Sequence, residues 1–186
     1  ESLKSFVAID MALSIAAGVP WQGQATHKGF VVYISAEGGA GIGKRVKAWL
    51  MTQGLDALDV DIAWLIESIP VSADSTQMIR LMDRLSDEIQ RDPILIVVDT
   101  LARCFEGDEN QQEDMNNFVA GIDLLRTTYR CAVLVVHHTR LDGDRERGNT
   151  AFRGAADTMI ALKRTGDIVE VSCAKQKDDA HFETFS

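Results

Sequence analysis

Residues 93–100, Pro-Ile-Leu-Ile-Val-Val-Asp-Thr, constrain the fold more than any other stretch of the chain. Five successive apolar residues that end in the carboxylate of Asp99 indicate a strand buried on both faces, which is typical of a central strand in a parallel sheet. The carboxyl end of such a strand lies at the edge where open α/β sheets bind ligands. The same run also allows a second interpretation, in which Asp99 only ends the strand and begins a turn.

The start of the chain favours the first interpretation. Leu3, Lys4 and Ser5 begin an apolar helix predicted over residues 4–17, and Lys4-Ser5 match the last two positions of the phosphate-binding loop G-x-x-x-x-G-K-[ST]. In that loop the backbone N–H groups cradle phosphates, while the lysine and the hydroxyl serve the terminal phosphates and Mg²⁺. Leu3 stands where the pattern has its second glycine, which predicts lower nucleotide affinity or a reshaped loop. We expect the first strand and part of the loop to lie upstream of residue 1.

The composition suits a single domain of residues 1–186, because a chain of this length with 46% hydrophobic residues can form a core. The three cysteines, Cys104, Cys131 and Cys173, are scattered and lack C-x-x-C spacing, which disfavours a disulfide framework or a zinc site. We expect a soluble cytoplasmic protein without membrane contact, because no apolar run approaches the roughly 20 residues of a membrane helix. The net charge of −9 disfavours non-specific coating of nucleic acid but allows contact through a small local patch.

Buried strands alternate with helices along the chain, which is the βαβ pattern of a parallel sheet. The predicted fold class is therefore α/β: a mainly parallel sheet flanked by helices, followed by an antiparallel hairpin at the carboxyl end. The predicted strands are 30–37, 61–67, 93–100 and 132–136, with hairpin strands at 158–162 and 168–174 and an edge strand at 180–185. The predicted helices are 4–17, ended by Gly18 and Pro20; a helix that includes 42–50 and is ended by Gly54; a helix that begins at Ser75 and includes 78–89; and a helix that includes 115–125. A polar loop is predicted at 103–113.

Glu37 ends the second predicted strand and is followed at once by Gly38, Gly39, Gly41 and Gly43. A glycine cluster between a strand and a helix can be a flexible connector. Here it follows a carboxylate at the strand end, which is where a reacting group of an α/β sheet would stand.

Five separated pieces of the chain resemble, in their order and spacing, the RecA-like P-loop ATPases of the AAA class. Within that class the resemblance is to the RepA-type and DnaB-type ring helicases of plasmid, phage and bacterial replication. The pieces are Leu3-Lys4-Ser5, Ser35-Ala36-Glu37-Gly38, Val98-Asp99-Thr100, Val136-His137-His138-Thr139 and Ala174-Lys175-Gln176-Lys177-Asp178. They span nearly the whole chain, and they imply a RecA-like fold.

The resemblance implies a role for each residue that matches the phosphate site of the family. It implies ATP and Mg²⁺ as cofactors, with Lys4 neutralising the β and γ phosphates and Ser5 ligating the metal. Asp99 would hold the metal through water. Glu37 matches the catalytic glutamate that polarises the attacking water, a task that needs a carboxylate about one water away from the γ phosphate.

His138 falls where related enzymes place a polar sensor of the γ phosphate. Adjacent strand residues point to opposite faces, so His137 and His138 cannot both face the site, and a metal site formed by the pair is disfavoured. A buried histidine with a purely structural role is the alternative for His138.

Lys175 and Lys177 project from one face of a strand, because they are two positions apart. In the resembling families a basic pair here reaches the neighbouring subunit's γ phosphate as an arginine finger. Both residues are lysine in this chain, so the charge is kept but bidentate geometry is lost. Arg153 is the competing candidate for the finger, and a solvated edge strand is the alternative for the lysine pair.

Residues 140–150 lie where RecA-like motors place a loop that grips single-stranded DNA. The charges of this loop sum to zero and it lacks an aromatic residue for base stacking, which weakens that role. The expected function is an ATP-hydrolysing DNA motor, a hexameric ring helicase that acts on single-stranded DNA during replication. The alternatives are a filament-forming recombination or repair ATPase, and a regulatory nucleotide-binding module with weakened catalysis.

Overall fold

The computed structural model describes residues 3–36, 39–72, 76–109, 111–138 and 150–186. Its central element is a four-stranded sheet in the order β2-β1-β3-β4, in which all neighbouring strands are parallel. These strands are β1 (Val31–Ser35), β2 (Ile62–Leu65), β3 (Leu95–Asp99) and β4 (Ala132–Val136). A separate antiparallel hairpin follows, formed by β5 (Thr158–Thr165) and β6 (Ile168–Gln176). The predicted α/β class with a carboxyl-terminal hairpin is confirmed.

Helices cover the sheet on both faces. They are α1 (Lys4–Ala17), α2 (Ile42–Gln53), α3 (Thr76–Ile89), α4 (Leu101–Cys104), α5 (Gln112–Tyr129) and α6 (Thr150–Ala155). Gly18 and Gly54 end α1 and α2 as predicted, with φ angles of 75° and 67° that glycine adopts without steric cost. Among the described helices none is long and apolar enough to cross a membrane.

The two central strands, β1 and β3, are buried along their whole length. Side chains alternate between the two faces of a sheet, and the helices on each face therefore meet a different set of residues. On one face Tyr33 and Val97 pack with α1, and on the other Val32 and Val98 pack with residues from α3, α4 and α5. Because both faces of these strands are buried, their sequences are nearly continuous apolar runs.

A polar contact joins α1 to α2 beside the core. Asp10 accepts hydrogen bonds from two indole N–H groups, that of Trp49 at 2.7 Å on Oδ1 and that of Trp21 at 2.9 Å on Oδ2. Each carboxylate oxygen of this partly buried residue therefore has its own donor. The contact ties the middle of α1 to α2 and to the loop that follows α1.

The structure corrects three details of the predicted elements. Strand β4 is partly exposed, with only Val136 buried, because it lies at an edge of the described sheet. The predicted polar loop at 103–113 begins inside the short helix α4, where Leu101 and Cys104 are buried. Residues 180–185 do not form an edge strand, since they contribute a single bridge between Phe185 and Val171.

Candidate functional site

The first turn of α1 and the end of β3 meet at one point of the molecule. Ser5 Oγ donates a hydrogen bond of 3.0 Å to Asp99 Oδ1, across 94 residues of sequence. Asp99 is 6% exposed, and Ser5 is half-buried. The tertiary fold therefore brings together two of the residues assigned to the phosphate and metal site.

The second oxygen of the Asp99 carboxylate also has a protein donor. The Tyr33 hydroxyl donates to Asp99 Oδ2 at 2.6 Å, and both groups are buried. Burial raises the pKa of Tyr33, and the charge and hydrogen bond of Asp99 raise it further, while Arg45 acts in the opposite direction. Tyr33 therefore remains a hydroxyl donor over the whole working pH range.

The start of α1 is suited to bind an anion. Among the described residues no side chain caps this end of the helix, and its first turn carries no acidic residue. The first N–H groups of a helix and its positive dipole end favour phosphate groups. Burial lowers the pKa of Lys4, because desolvation disfavours its charged form. A bound phosphate would restore a favourable environment for that charge.

Leu3 adopts φ −76° and ψ 27°, which lies outside the positive-φ region that favours glycine. The substitution of glycine by leucine therefore causes no backbone strain at this position. The remaining effect of Leu3 is the volume of its side chain near the phosphate site.

The donor set fits the cofactors that the resemblance implies. Mg²⁺ prefers oxygen ligands and is usually held by one or two protein groups together with phosphate oxygens and waters. Ser5 supplies a hydroxyl and Asp99 a carboxylate, and Lys4 precedes Ser5 directly. Within the described part of the chain no group of three or more His, Cys, Asp or Glu could hold a metal. A hydroxyl and a carboxylate oxygen suit a metal that is shared with a nucleotide.

Glu37 lies outside the described residues, and its catalytic role stays a prediction. The strand that leads to it is well placed, because Ser35 is the register partner of Asp99 and the Ala36 N–H donates to the Asp99 carbonyl oxygen at 2.8 Å. The predicted DNA loop also falls outside, since only residue 150 of the range 140–150 is described.

The two histidines follow β4, next to the end of β3. Val136 is the register partner of Asp99, and His137 and His138 come directly after it. His137 is half-buried with its ring 6.0 Å from that of Phe152, whereas His138 is exposed. The alternative of a buried structural histidine is therefore wrong for His138, and its sensor role stays a prediction.

The candidate finger residues cluster around the end of α6. Lys175 Nζ donates to three carbonyl oxygens, those of Arg153 at 2.8 Å, Gly154 at 3.1 Å and Ala156 at 2.5 Å. Lys177 Nζ lies 3.4 Å from Asp157 Oδ1 in an exposed ion pair. The structure thus joins the lysine pair to α6, and Lys175 serves as a cap for the carboxyl end of that helix.

Sequence reasoning missed two of these contacts. Tyr33 is the polar side chain inside the apolar run of β1, and that interruption was the available signal. Its partner could not be predicted, because Asp99 is 66 residues away. The cap formed by Lys175 had no local signal, since its acceptors are backbone carbonyls at and just after the end of α6, 19 to 22 residues earlier.

Comparison with known proteins decides the family. Residues 1–144 match the family model described as AAA domain. The chain belongs to this family. The match covers Lys4, Ser5 and Asp99, and it supports an ATPase with an α/β P-loop fold. Arg153, together with the hairpin, lies outside the matched residues. No curated protein matches the chain.

Proposed function

We propose that this AAA-domain protein is an ATP-hydrolysing DNA motor, a ring helicase that acts on single-stranded DNA during plasmid, phage or bacterial replication in the cytoplasm. The observation that carries the ATPase part is the hydrogen bond between Ser5 and Asp99, which joins the start of α1 to the end of a central strand. The motor part is supported by the five sequence pieces that resemble the RepA-type and DnaB-type helicases.

Each residue of the proposed site has a defined task in phosphoryl transfer, a reaction in which positioning and charge stabilisation supply most of the catalysis. Mg²⁺, when bound, would supply positive charge beside the β and γ phosphates of ATP. Lys4 and the first N–H groups of α1 would orient those phosphates. Ser5 and Asp99 supply oxygen ligands, Asp99 through water. Glu37 holds the attacking water in line with the leaving group.

The finger that reaches a neighbouring subunit is assigned to Arg153 or Lys177 in this proposal. A lysine ammonium has three donors, and in Lys175 all of them have carbonyl acceptors. Lys177 has one exposed ion pair, worth at most about 1 kcal/mol, which a phosphate could displace. Arg153 offers the planar guanidinium that suits phosphate best. Either residue requires a homo-oligomer, and we propose a hexameric ring.

The alternative of a regulatory module rests on Leu3 in the phosphate loop. The φ angle of Leu3 is negative, so the backbone there does not require glycine, and this favours a working site. A filament-forming recombination ATPase remains the alternative within the same enzyme class.

The test is ATP hydrolysis by the full-length protein with and without single-stranded DNA. We expect stimulation by DNA, and loss of hydrolysis by at least about 100-fold in Lys4→Ala and Glu37→Gln, because each removes charge stabilisation or water activation. Lys47→Ala is the matched control, since Lys47 is exposed on α2. If DNA does not change the rate of hydrolysis, the proposed DNA motor is wrong. If Lys4→Ala hydrolyses ATP as fast as the wild-type protein does, the proposed phosphate site is wrong. Electron microscopy with ATP and DNA separates rings from filaments.

A further inference from the structure

The carboxylate of Asp99 is held from two sides by different parts of the chain. Ser5 on α1 donates to Oδ1, and Tyr33 on β1 donates to Oδ2. The proposed metal site accounts for Ser5. It gives no role to Tyr33, whose hydroxyl lies in the core of the molecule.

The sheet register explains how Tyr33 reaches Asp99. Tyr33 is the partner of Val97, and Ser35 is the partner of Asp99, so Tyr33 lies one pleat below Asp99 on the neighbouring strand. Residues two apart on a strand share a face, and Tyr33 and Asp99 therefore both face α1. The long tyrosine side chain spans the diagonal between the two positions.

The surroundings hold the Tyr33 ring in place. The residue is fully buried, and its ring packs against that of Trp64 with centroids 4.9 Å apart. The core on this face includes residues of α1, among them Ile9 and Leu13. Because the ring has no room to turn away, its hydroxyl stays directed at Asp99 Oδ2. A buried hydrogen bond to a charged oxygen is also stronger than one in water.

We propose that Tyr33 is a positioning residue for the metal site, which holds Asp99 Oδ2 and so keeps the carboxylate turned with Oδ1 towards Ser5. The proposal rests on the proposed function, since it concerns the same Mg²⁺–ATP site. A carboxylate held by a donor on each oxygen is hindered from turning both oxygens onto a cation, which is the bidentate manner that Ca²⁺ often uses. It suits contact through a water of the octahedral shell of Mg²⁺. Tyr33 would thereby set both the orientation of Asp99 and the preference of the site for Mg²⁺.

The experiment compares Tyr33→Phe with the wild-type full-length protein in metal-dependent binding of a fluorescent ATP analogue. Tyr129→Phe is the matched control, because Tyr129 is also buried and also donates to a carboxylate, Asp83 Oδ1 at 2.8 Å, away from the site. In Tyr33→Phe we expect the Mg²⁺ concentration for half-maximal binding to rise about tenfold, since a hydrogen bond to a charged group is lost. We also expect the preference for Mg²⁺ over Ca²⁺ to fall by a similar factor, and both values to stay unchanged in Tyr129→Phe.

The outcomes separate this proposal from the function on which it rests. If the wild-type protein shows no metal-dependent nucleotide binding, the proposed function fails. If it does, and Tyr33→Phe has the same Mg²⁺ requirement and the same Mg²⁺ preference, the role of Tyr33 is refuted.

A second measurement serves if Tyr33→Phe does not fold. 3-Fluorotyrosine incorporated site-specifically at position 33 labels this residue alone in the full-length protein. We expect its fluorine resonance to shift when Mg²⁺ and the ATP analogue are added together, and to shift less with Ca²⁺. A fluorine resonance whose chemical shift stays the same with either metal would overturn the proposal.

Discussion

Lys175→Met removes the ammonium group that caps α6, and this change distinguishes a structural lysine from a catalytic finger. The ammonium donates to three carbonyl oxygens at 2.5 to 3.1 Å, two of them from the last turn of the helix. The last carbonyls of a helix lie beyond its own N–H donors, and a cation near them is also favoured by the helix dipole. Lys175 is half-buried, so the carbonyls are not fully free to bind water instead.

The expected loss is about 1–2 kcal/mol in the free energy of unfolding, the range for a partly buried cation at a helix carboxyl end. It is lower than the sum of three charged hydrogen bonds, because solvent replaces part of the lost contacts. Urea unfolding followed by circular dichroism measures the change, and hydrogen exchange of the α6 amides should report local opening. Lys177→Met is the control, with an expected loss below about 0.5 kcal/mol for its exposed ion pair.

The variant Lys175→Arg separates the effect of the positive charge from that of the ammonium geometry. It keeps the charge, but a planar guanidinium cannot direct its donors to three converging carbonyls as an ammonium does. We therefore expect an intermediate loss of stability. If Lys175→Met leaves the unfolding free energy and the α6 exchange rates unchanged but abolishes DNA-stimulated hydrolysis, Lys175 acts as the finger and the capping argument is wrong.

Three further predictions follow from the packing. Asp10→Asn should lower the free energy of unfolding, measured by urea unfolding, by about 2 kcal/mol. In this variant an amide NH₂ would face one of the two indole N–H groups that now donate hydrogen bonds to Asp10. Unchanged stability would contradict this prediction. Gly121→Ala should cost about 1–3 kcal/mol, since a Cβ there would lie 2.7 Å from a backbone carbon of the segment before α3, whereas Gly43→Ala has open space and should not destabilise. Burial raises the pKa of the thiols of Cys104 and Cys131 to about 11, from 9.0 in the unfolded chain, so their contribution to stability is intact below pH 9 and is lost as the pH rises towards 11. Urea midpoints measured from pH 8 to pH 11 test this, and both thiols replaced by alanine should flatten the decline.

The sequence predicted the main elements because their signals are local. The strand around Asp99 and the helix after Lys4 appear where continuous apolar runs predicted them, and Gly18 ends that helix by a conformation that glycine favours. The predicted bounds of β4 were right, but its predicted burial was wrong, because its composition matches that of a central strand. Whether a strand lies at an edge depends on its neighbours, which no local pattern contains.

At the site too, the residue types could be predicted from the sequence, whereas the contacts between them could not. Lys4, Ser5 and Asp99 could be selected from the sequence, because their residue types and positions match a chemical requirement for binding phosphate and Mg²⁺. The contact between Ser5 and Asp99 is a property of the fold, since it requires α1 to pack across the sheet beside β3.

The sequence by itself determined the fold class and selected the residues proposed to bind a nucleotide, since that selection depends on side-chain chemistry and on short motifs. Only the tertiary structure decided that Tyr33 holds the second oxygen of Asp99 and that Lys175 caps α6. Both contacts join groups far apart along the chain, through strand register in one case and helix placement in the other. Such positions follow from the packing of the whole core, in which each element is held by all of its neighbours.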